Sequence, residues 1–205
     1  MAKPIPIVMD LLERLLTHNE KLNVLDLGSG PGRNTIPIAL KLKETGSKVA
    51  GIDLLDEAVV QLHENAESYG VADIIQAAAG DVEHADIPEN SYDYIVACGC
   101  LEHCSSKEAF IEVLERLKRG TRIGGIHCIE MNTDIQELDK ESGRELETLI
   151  ELNLSKDEVF RIFREVYQGW NVLEERTKLQ SIEEEKYDAP SQFRAQSVTF
   201  AVQKM

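Results

Sequence analysis

The sequence predicts an α/β fold, a three-layer sandwich on a mostly parallel sheet with an antiparallel hairpin at its C-terminal edge. Three observations carry this. Short apolar runs alternate with amphipathic stretches along the chain, as in a parallel sheet covered on both faces. The run N-V-L-D-L at 23–27 breaks into G-S-G-P-G, with glycine at 28, 30 and 32. That is a short strand entering a tight turn and then a helix, the unit that lets backbone approach a ligand closely. The last segments alternate with period two, like paired antiparallel strands.

The elements follow in order. Residues 5–16 read as a leading helix, with Pro4 and Pro6 at its start, where proline is tolerated. The first strand is 23–27. A helix over 33–44 follows, ended by Gly46. The second strand, 48–52, closes at Asp53. Asp56 suits the N-cap of a helix that runs to Tyr69 and stops at Gly70. The third strand, 73–78, leads to Gly80 and Asp81. The fourth, 92–97, enters Cys98-Gly99-Cys100. Ser105-x-x-Glu108 is a capping box for a helix ending near Lys118. Gly124 and Gly125 lead into the fifth strand, 126–131. Residues 132–153 are polar without a clear period and read as an insertion or lid. Ser155-x-x-Glu158 opens another helix by the same capping logic. Residues 170–176 and 197–203 pair as the edge hairpin, with Glu183–Glu185 as its solvated loop.

The 205 residues make one ordinary domain, 1–205. Twenty-two basic against 37 acidic residues give a net charge of −15. Phosphates are neutralised by Lys and Arg, so this balance argues against nucleic acid as a partner. It argues equally against an anionic membrane surface. Asp10, Glu13 and Arg14 interrupt the apolar pattern of the first helix, so no secretory core segment is read there. No run reaches membrane-span length. A cytoplasmic protein, monomer or homodimer, is expected, with its four cysteines as thiols.

Glycine spacing separates two kinds of nucleotide site. The dinucleotide fingerprint is G-x-G-x-x-G. Here the third glycine comes one place early, and Arg33 stands where that fingerprint needs glycine. Asp53 and Asp81 follow the second and third strands, where carboxylates can accept hydrogen bonds from ribose hydroxyls and an adenine amine. Taken alone, an Asp at a strand end is more often a turn former or cap. Arg33 at a helix start is electrostatically unhelpful and suggests a specific partner such as a carboxylate.

The stretch D-x-G-x-G-x-G at 26–32 resembles that of class I S-adenosylmethionine (SAM) methyltransferases. The resemblance implies a seven-stranded Rossmann-like sheet, SAM as cofactor and methyl transfer to a small-molecule acceptor. SAM carries no phosphate, which removes the pressure for glycine at 33. By this resemblance Asp26, Gly28, Ser29, Gly30 and Gly32 hold the methionine part, with Arg33 and Asn34 behind them. Asp53 holds the ribose, Leu54 lies against the adenine, and Asp81 and Val82 read its edge. The fourth strand, ending at Cys98, closes the site under the sulfonium.

G-S-G-P-G-R-N at 28–34 is similar to the turn of the tellurite-resistance (TehB-like) branch. K-R-G-T-R-I-G-G-I-H-C-I at 118–129 and the element order of 159–204 agree with that branch. Two departures stand out. Ser29 replaces the cysteine common there, and L-E-H at 101–103 is similar to small-molecule and quinone methyltransferases.

Cys98, Cys100 and Cys104 follow the fourth strand, and Cys128 lies on the fifth. Soft thiols suit a chalcogen or metalloid oxyanion, and Cys100 and Cys104 are expected to line an acceptor pocket. The plainer alternative, favoured for Cys98 and Cys128, is a small buried core residue. C-x-C-x3-C lacks the C-x2-C knuckle, so no metal site is expected. His103 is the candidate general base, with a loop contact as the alternative. The expected acceptor is a chalcogen oxyanion or thiol-like nucleophile. The alternatives are a quinone or natural-product O- or C-methyltransferase, and a non-catalytic SAM-binding module.

Overall fold

The computed structural model describes residues 3–186 and 189–205. The strands are β1 (Asn23–Leu27), β2 (Lys48–Asp53), β3 (Ile75–Ala79), β4 (Tyr92–Cys98), β5 (Thr121–Asp139), β6 (Glu145–Leu146), β7 (Asn171–Lys186) and β8 (Ala189–Gln203). The helices are α1 (Pro6–Leu16), α2 (Thr35–Leu42), α3 (Asp56–Ser68), α4 (Lys107–Gly120) and α5 (Lys156–Val166), with a 3-10 turn at Leu101–His103. The sheet order is β3-β2-β1-β4-β5-β8-β7, and the short β6 adds to β5. Strands β1 to β5 run parallel, while β8 and β7 are antiparallel. The chain leaves β1 on one side and returns as β4 on the other. The switch point therefore lies between β1 and β4, where ligands bind such sheets.

Side chains on β1 alternate between two cores, as a pleated strand requires. Val24 packs with the apolar faces of α1, α2 and α3. Leu25 and Leu27 pack with those of α4 and α5. Helix α5 buries Val159, Phe160, Ile162, Phe163 and Val166, the spacing of one helix face. Burial of such side chains contributes roughly 1.5–3 kcal/mol each, which fixes both helical layers to the sheet.

Several boundaries differ from the sequence reading. Helix α4 is capped by Ser106, whose hydroxyl accepts from Ala109 N at 3.1 Å. Ser105 instead donates its hydroxyl and its N–H to the Glu83 carboxylate. Asp56 is the first residue of α3, not its cap, and the cap position is Leu55. An acidic residue in the first turn still complements the helix dipole there. Helix α2 starts at Thr35, because Arg33 and Asn34 hold the N-terminal segment.

The first part of the polar stretch read as a lid, 132–139, is strand. Strand β5 continues to Asp139 and pairs with β8 as far as Asp139↔Ser191. Its buried positions Met131, Thr133, Ile135 and Glu137 alternate correctly. Thr133 and Glu137 are polar, and that hid the period. The hairpin is also longer than expected. Glu183–Glu185 belong to β7, opposite Gln192, Ser191 and Pro190, rather than to a loop. Charged residues on this edge strand discourage further pairing. The hairpin tip at 187–188 lies outside the described residues.

At the opposite end of the sheet from the loops, His127 is fully buried among aromatic rings. Its Nδ1 lies 2.9 Å from the Tyr167 hydroxyl, and its Nε2 meets the Thr121 hydroxyl. Burial, with smaller contributions from Lys204 and Lys118, lowers its pKa to about 3. The unfolded chain takes up this proton near pH 6.5, while the folded chain does not until about pH 3. The stability tied to His127 is therefore complete above pH 6.5 and lost as pH falls towards 3. In urea titrations, His127→Gln should lose less stability than wild type between pH 7 and 4.5, by about 3 kcal/mol.

Candidate active site

The glycine turn hangs on the neighbouring strand. Gly28 N and Ser29 N both donate to the Ile52 carbonyl, at 2.8 and 3.1 Å. Gly28 has φ +66°, and a Cβ there would sit 2.5 Å from Cys100 Cβ. No other residue fits both restraints. Gly30, at φ +51°, faces open space instead. Asp53 Oδ2 accepts from Gly30 N at 2.7 Å, and Oδ1 from Leu55 N at 3.0 Å. A carboxylate accepts about four hydrogen bonds. Two acceptor directions thus remain for a ribose diol. The Ser29 hydroxyl is buried without a partner among the described residues. Open space at Gly30 and free acceptor directions on Asp53 together fit SAM.

Asp26 lies behind this turn. It is buried and accepts from the Thr35 hydroxyl at 2.6 Å, bracing the start of α2. Burial raises its carboxyl to about 7, with a smaller push from Asp53.

The β2 and β3 ends are aligned by Gly80 N donating to the Asp53 carbonyl at 2.8 Å. Asp81 follows, its Oδ1 accepting from Glu83 N at 2.8 Å and its Oδ2 lying 3.2 Å from His84 Nδ1. Arg116 donates to the carbonyls of Val82 and Glu83, which straps this loop to α4. Leu54 is 66% exposed beside Asp53, an apolar surface at the place expected for adenine.

A cavity of about 720 Å³ opens at the carboxyl end of β4 and beside the middle of β5. Cys98, Glu130 and Asn132 line it from the sheet, and Arg176 and Lys178 line it from β7. Helix α1 forms one wall through Ile7 and Asp10, and Arg33 stands at the junction with the glycine turn. Helix α1 is held there by the Tyr94 hydroxyl, which donates to the Val8 carbonyl at 2.8 Å.

The expected site residues divide. Gly28, Ser29, Gly30, Asp53 and Cys98 gather around the switch point, with Leu54, Asp81 and Val82 at the adjoining strand ends. Arg33 donates Nε to the Lys3 carbonyl at 2.9 Å. The Asn34 carboxamide turns away to accept from Ile5 N at 3.1 Å. Gly32, at φ +101°, packs against Ile36 and Leu62.

The pocket expectation for Cys100 and Cys104 is corrected, because both are core residues. Cys100 fills the space left by Gly28 and donates its thiol to the Leu27 carbonyl at 3.3 Å. Burial pushes both thiols up, that of Cys104 to about 12. His103 lies outside the cavity wall, with Nδ1 2.8 Å from the Glu151 carboxylate. That hydrogen bond holds Glu151 below its usual range.

Glu130, Asn132, Arg176 and Lys178 escaped the sequence reading. The available signal was two cations two residues apart on an alternating strand, which places both on one face.

Residues 24–125 match the family model described as a methyltransferase domain. Sheet order, glycine turn and strand-end carboxylates agree with that match, and together they support a class I SAM-dependent methyltransferase domain, a class whose cofactor is SAM. Within this class the chain is similar to the TehB branch. It is 32% identical over 113 residues to the probable SAM-dependent methyltransferase TehB of Haemophilus influenzae, covering 54% of this chain and 37% of that protein. The crystal structure of TehB from Haemophilus influenzae superposes with a TM-score of 0.72 at 21% identity, covering 98% of this chain and 62% of that one. The sterol 24-C-methyltransferase ERG6B of Gibberella zeae is 29% identical over 154 residues, 73% of this chain and 40% of that protein. The chain thus spans about two-fifths of the length of these curated relatives. Among the described residues, no helix is long and apolar enough to cross a membrane.

Proposed function

We propose that this chain transfers a methyl group from SAM to a small anionic acceptor, a chalcogen oxyanion or thiolate-like nucleophile. The charge of the cavity carries this reading. Arg33, Arg176 and Lys178 face it against Asp10 and Glu130, a cationic excess within a chain of net charge −15. Such a reversal of local sign draws an anion in and orients it.

SAM supplies an activated methyl on its sulfonium, leaving S-adenosylhomocysteine (SAH) as the second product. The chain's own residues bind and position. Ser29, Gly30 and Asp53 hold the cofactor at the switch point, while Leu54, Asp81 and Val82 receive the adenine. Arg176 and Lys178 hold the acceptor, and α1 with Met131 excludes water. A soft anion brings its own electron pair and needs no base, which suits a His103 engaged with Glu151 outside the cavity. The cationic lining of the cavity supports the anion, and similarity to a sterol 24-C-methyltransferase keeps a neutral acceptor as the second reading.

SAH production should be followed over tellurite, selenite, thiols, phenols and quinols. Turnover with an oxyanion or thiol is expected. Turnover with phenols or quinols alone would overturn the acceptor class. SAM binding with no turnover on any acceptor would mark a binding module.

A further inference from the structure

We infer that Asn132 is a specificity-determining residue of the acceptor cavity, and that buried Glu102 is the positioning residue that sets the direction of its carboxamide. The inference rests on the methyltransferase reading above and goes on to name what the acceptor must carry.

Asn132 follows Met131 on β5 and lines the cavity beside Glu130. Its backbone N–H and its side-chain Nδ2 both meet Glu102 Oε1, each at 3.2 Å. A backbone N–H can only donate, so Oε1 acts there as an acceptor. The side-chain group facing the same oxygen must then be the NH2 rather than the carbonyl. The carboxamide nitrogen is thereby turned into the protein. Its oxygen is left for the cavity that the residue lines.

Glu102 has no other evident task for its side chain. It is 2% exposed, burial raises its carboxyl, and Oε2 has no partner among the described residues. Its backbone carbonyl accepts from Leu152 N at 3.0 Å, a bond that any residue would provide. Burying a carboxylate with one oxygen unpaired is unfavourable. What it achieves here is one fixed carboxamide.

The cavity therefore presents donors and acceptors on different elements. Arg176 and Lys178 on β7 offer positive charge, and Asn132 Oδ1 and the Glu130 carboxylate on β5 offer acceptors. A ligand satisfying both is an anion that still carries an X–H group, such as a singly protonated oxyanion. A fully deprotonated oxyanion would set its lone pairs against Asn132 Oδ1. Asn132 thus selects by protonation, and Glu102 makes that selection one-sided.

Selenite, mostly singly protonated near neutral pH, and sulfate, which is not protonated there, are the probes. Each is titrated into the full chain saturated with SAH. Wild type should prefer selenite over sulfate by about tenfold, the size of one hydrogen bond to a charged ligand. Asn132→Ala and Glu102→Ala should bring that ratio to within about twofold, while SAH affinity stays within about twofold of wild type. Glu102→Gln keeps an acceptor oxygen and should restore most of the preference, which a merely structural role would not predict. The side-chain amide signals of Asn132, assigned by their loss in Asn132→Ala, should be protected from water exchange in wild type. They should lose protection in Glu102→Ala. Unchanged selectivity in Asn132→Ala with SAH still bound, or an unprotected wild-type amide, would overturn the inference. A wild-type SAH complex that binds neither anion would overturn the acceptor class. A chain that does not bind SAH would instead overturn the methyltransferase reading.

Discussion

Alanine at position 28 should abolish SAH binding. The left-handed backbone at φ +66° disfavours any side chain, and the new Cβ would lie 2.5 Å from Cys100 Cβ. Cys100 cannot swing aside, because its thiol is bonded to the Leu27 carbonyl and its neighbours are core. The turn must lift off β2, breaking the two bonds to the Ile52 carbonyl. A loss of about 3 kcal/mol in urea unfolding is expected, from strain and lost bonds together. Calorimetry should show SAH affinity reduced by at least about 100-fold. Gly30→Ala separates site from fold. At φ +51° it meets no atom within 4 Å, so it should fold with a loss of only about 1 kcal/mol. It should nevertheless bind SAH poorly, because the added methyl takes the space the cofactor needs. Normal SAH affinity in Gly30→Ala would remove the cofactor from this side of the turn.

The second large effect is expected at β7. Replacing both Arg176 and Lys178 by alanine should lower turnover of the oxyanion acceptor by about 100-fold or more, two charge-assisted bonds' worth. SAH affinity should be unchanged, since neither residue lies on the cofactor strands. The Arg176 side chain is 54% exposed, so part of its attraction is screened by solvent. Wild-type KM for an oxyanion should accordingly rise with salt, and the double variant should lose that dependence. Unchanged turnover would place the acceptor elsewhere.

The centre of the parallel sheet was legible because β1 and β4 are buried on both faces. β1 and β4 read as near-continuous apolar runs, and each glycine or acid at a strand end marked its boundary. The cofactor side was legible because Asp53 ends β2 and Asp81 lies two residues past β3. The acceptor side was not. Arg176 and Lys178 reach the cavity only because β7 pairs with β8 and β8 with β5, a placement that no local pattern shows. Asn132 looked like the first residue of a polar insertion, because Thr133 and Glu137 occupy buried strand positions. Spacing put Cys100 and Cys104 just past a strand end, where acceptors bind. It could not show that the missing side chain at Gly28 draws Cys100 inward. Glu102 and His103 are adjacent in sequence, yet one faces the core and the other faces Glu151.

Isothermal titration calorimetry of the full chain with SAH and with NAD tests the glycine-turn assignment most directly. Saturable binding of SAH, with NAD neither binding nor competing, is the expected result. NAD binding in preference to SAH, or no binding of SAH, would contradict it.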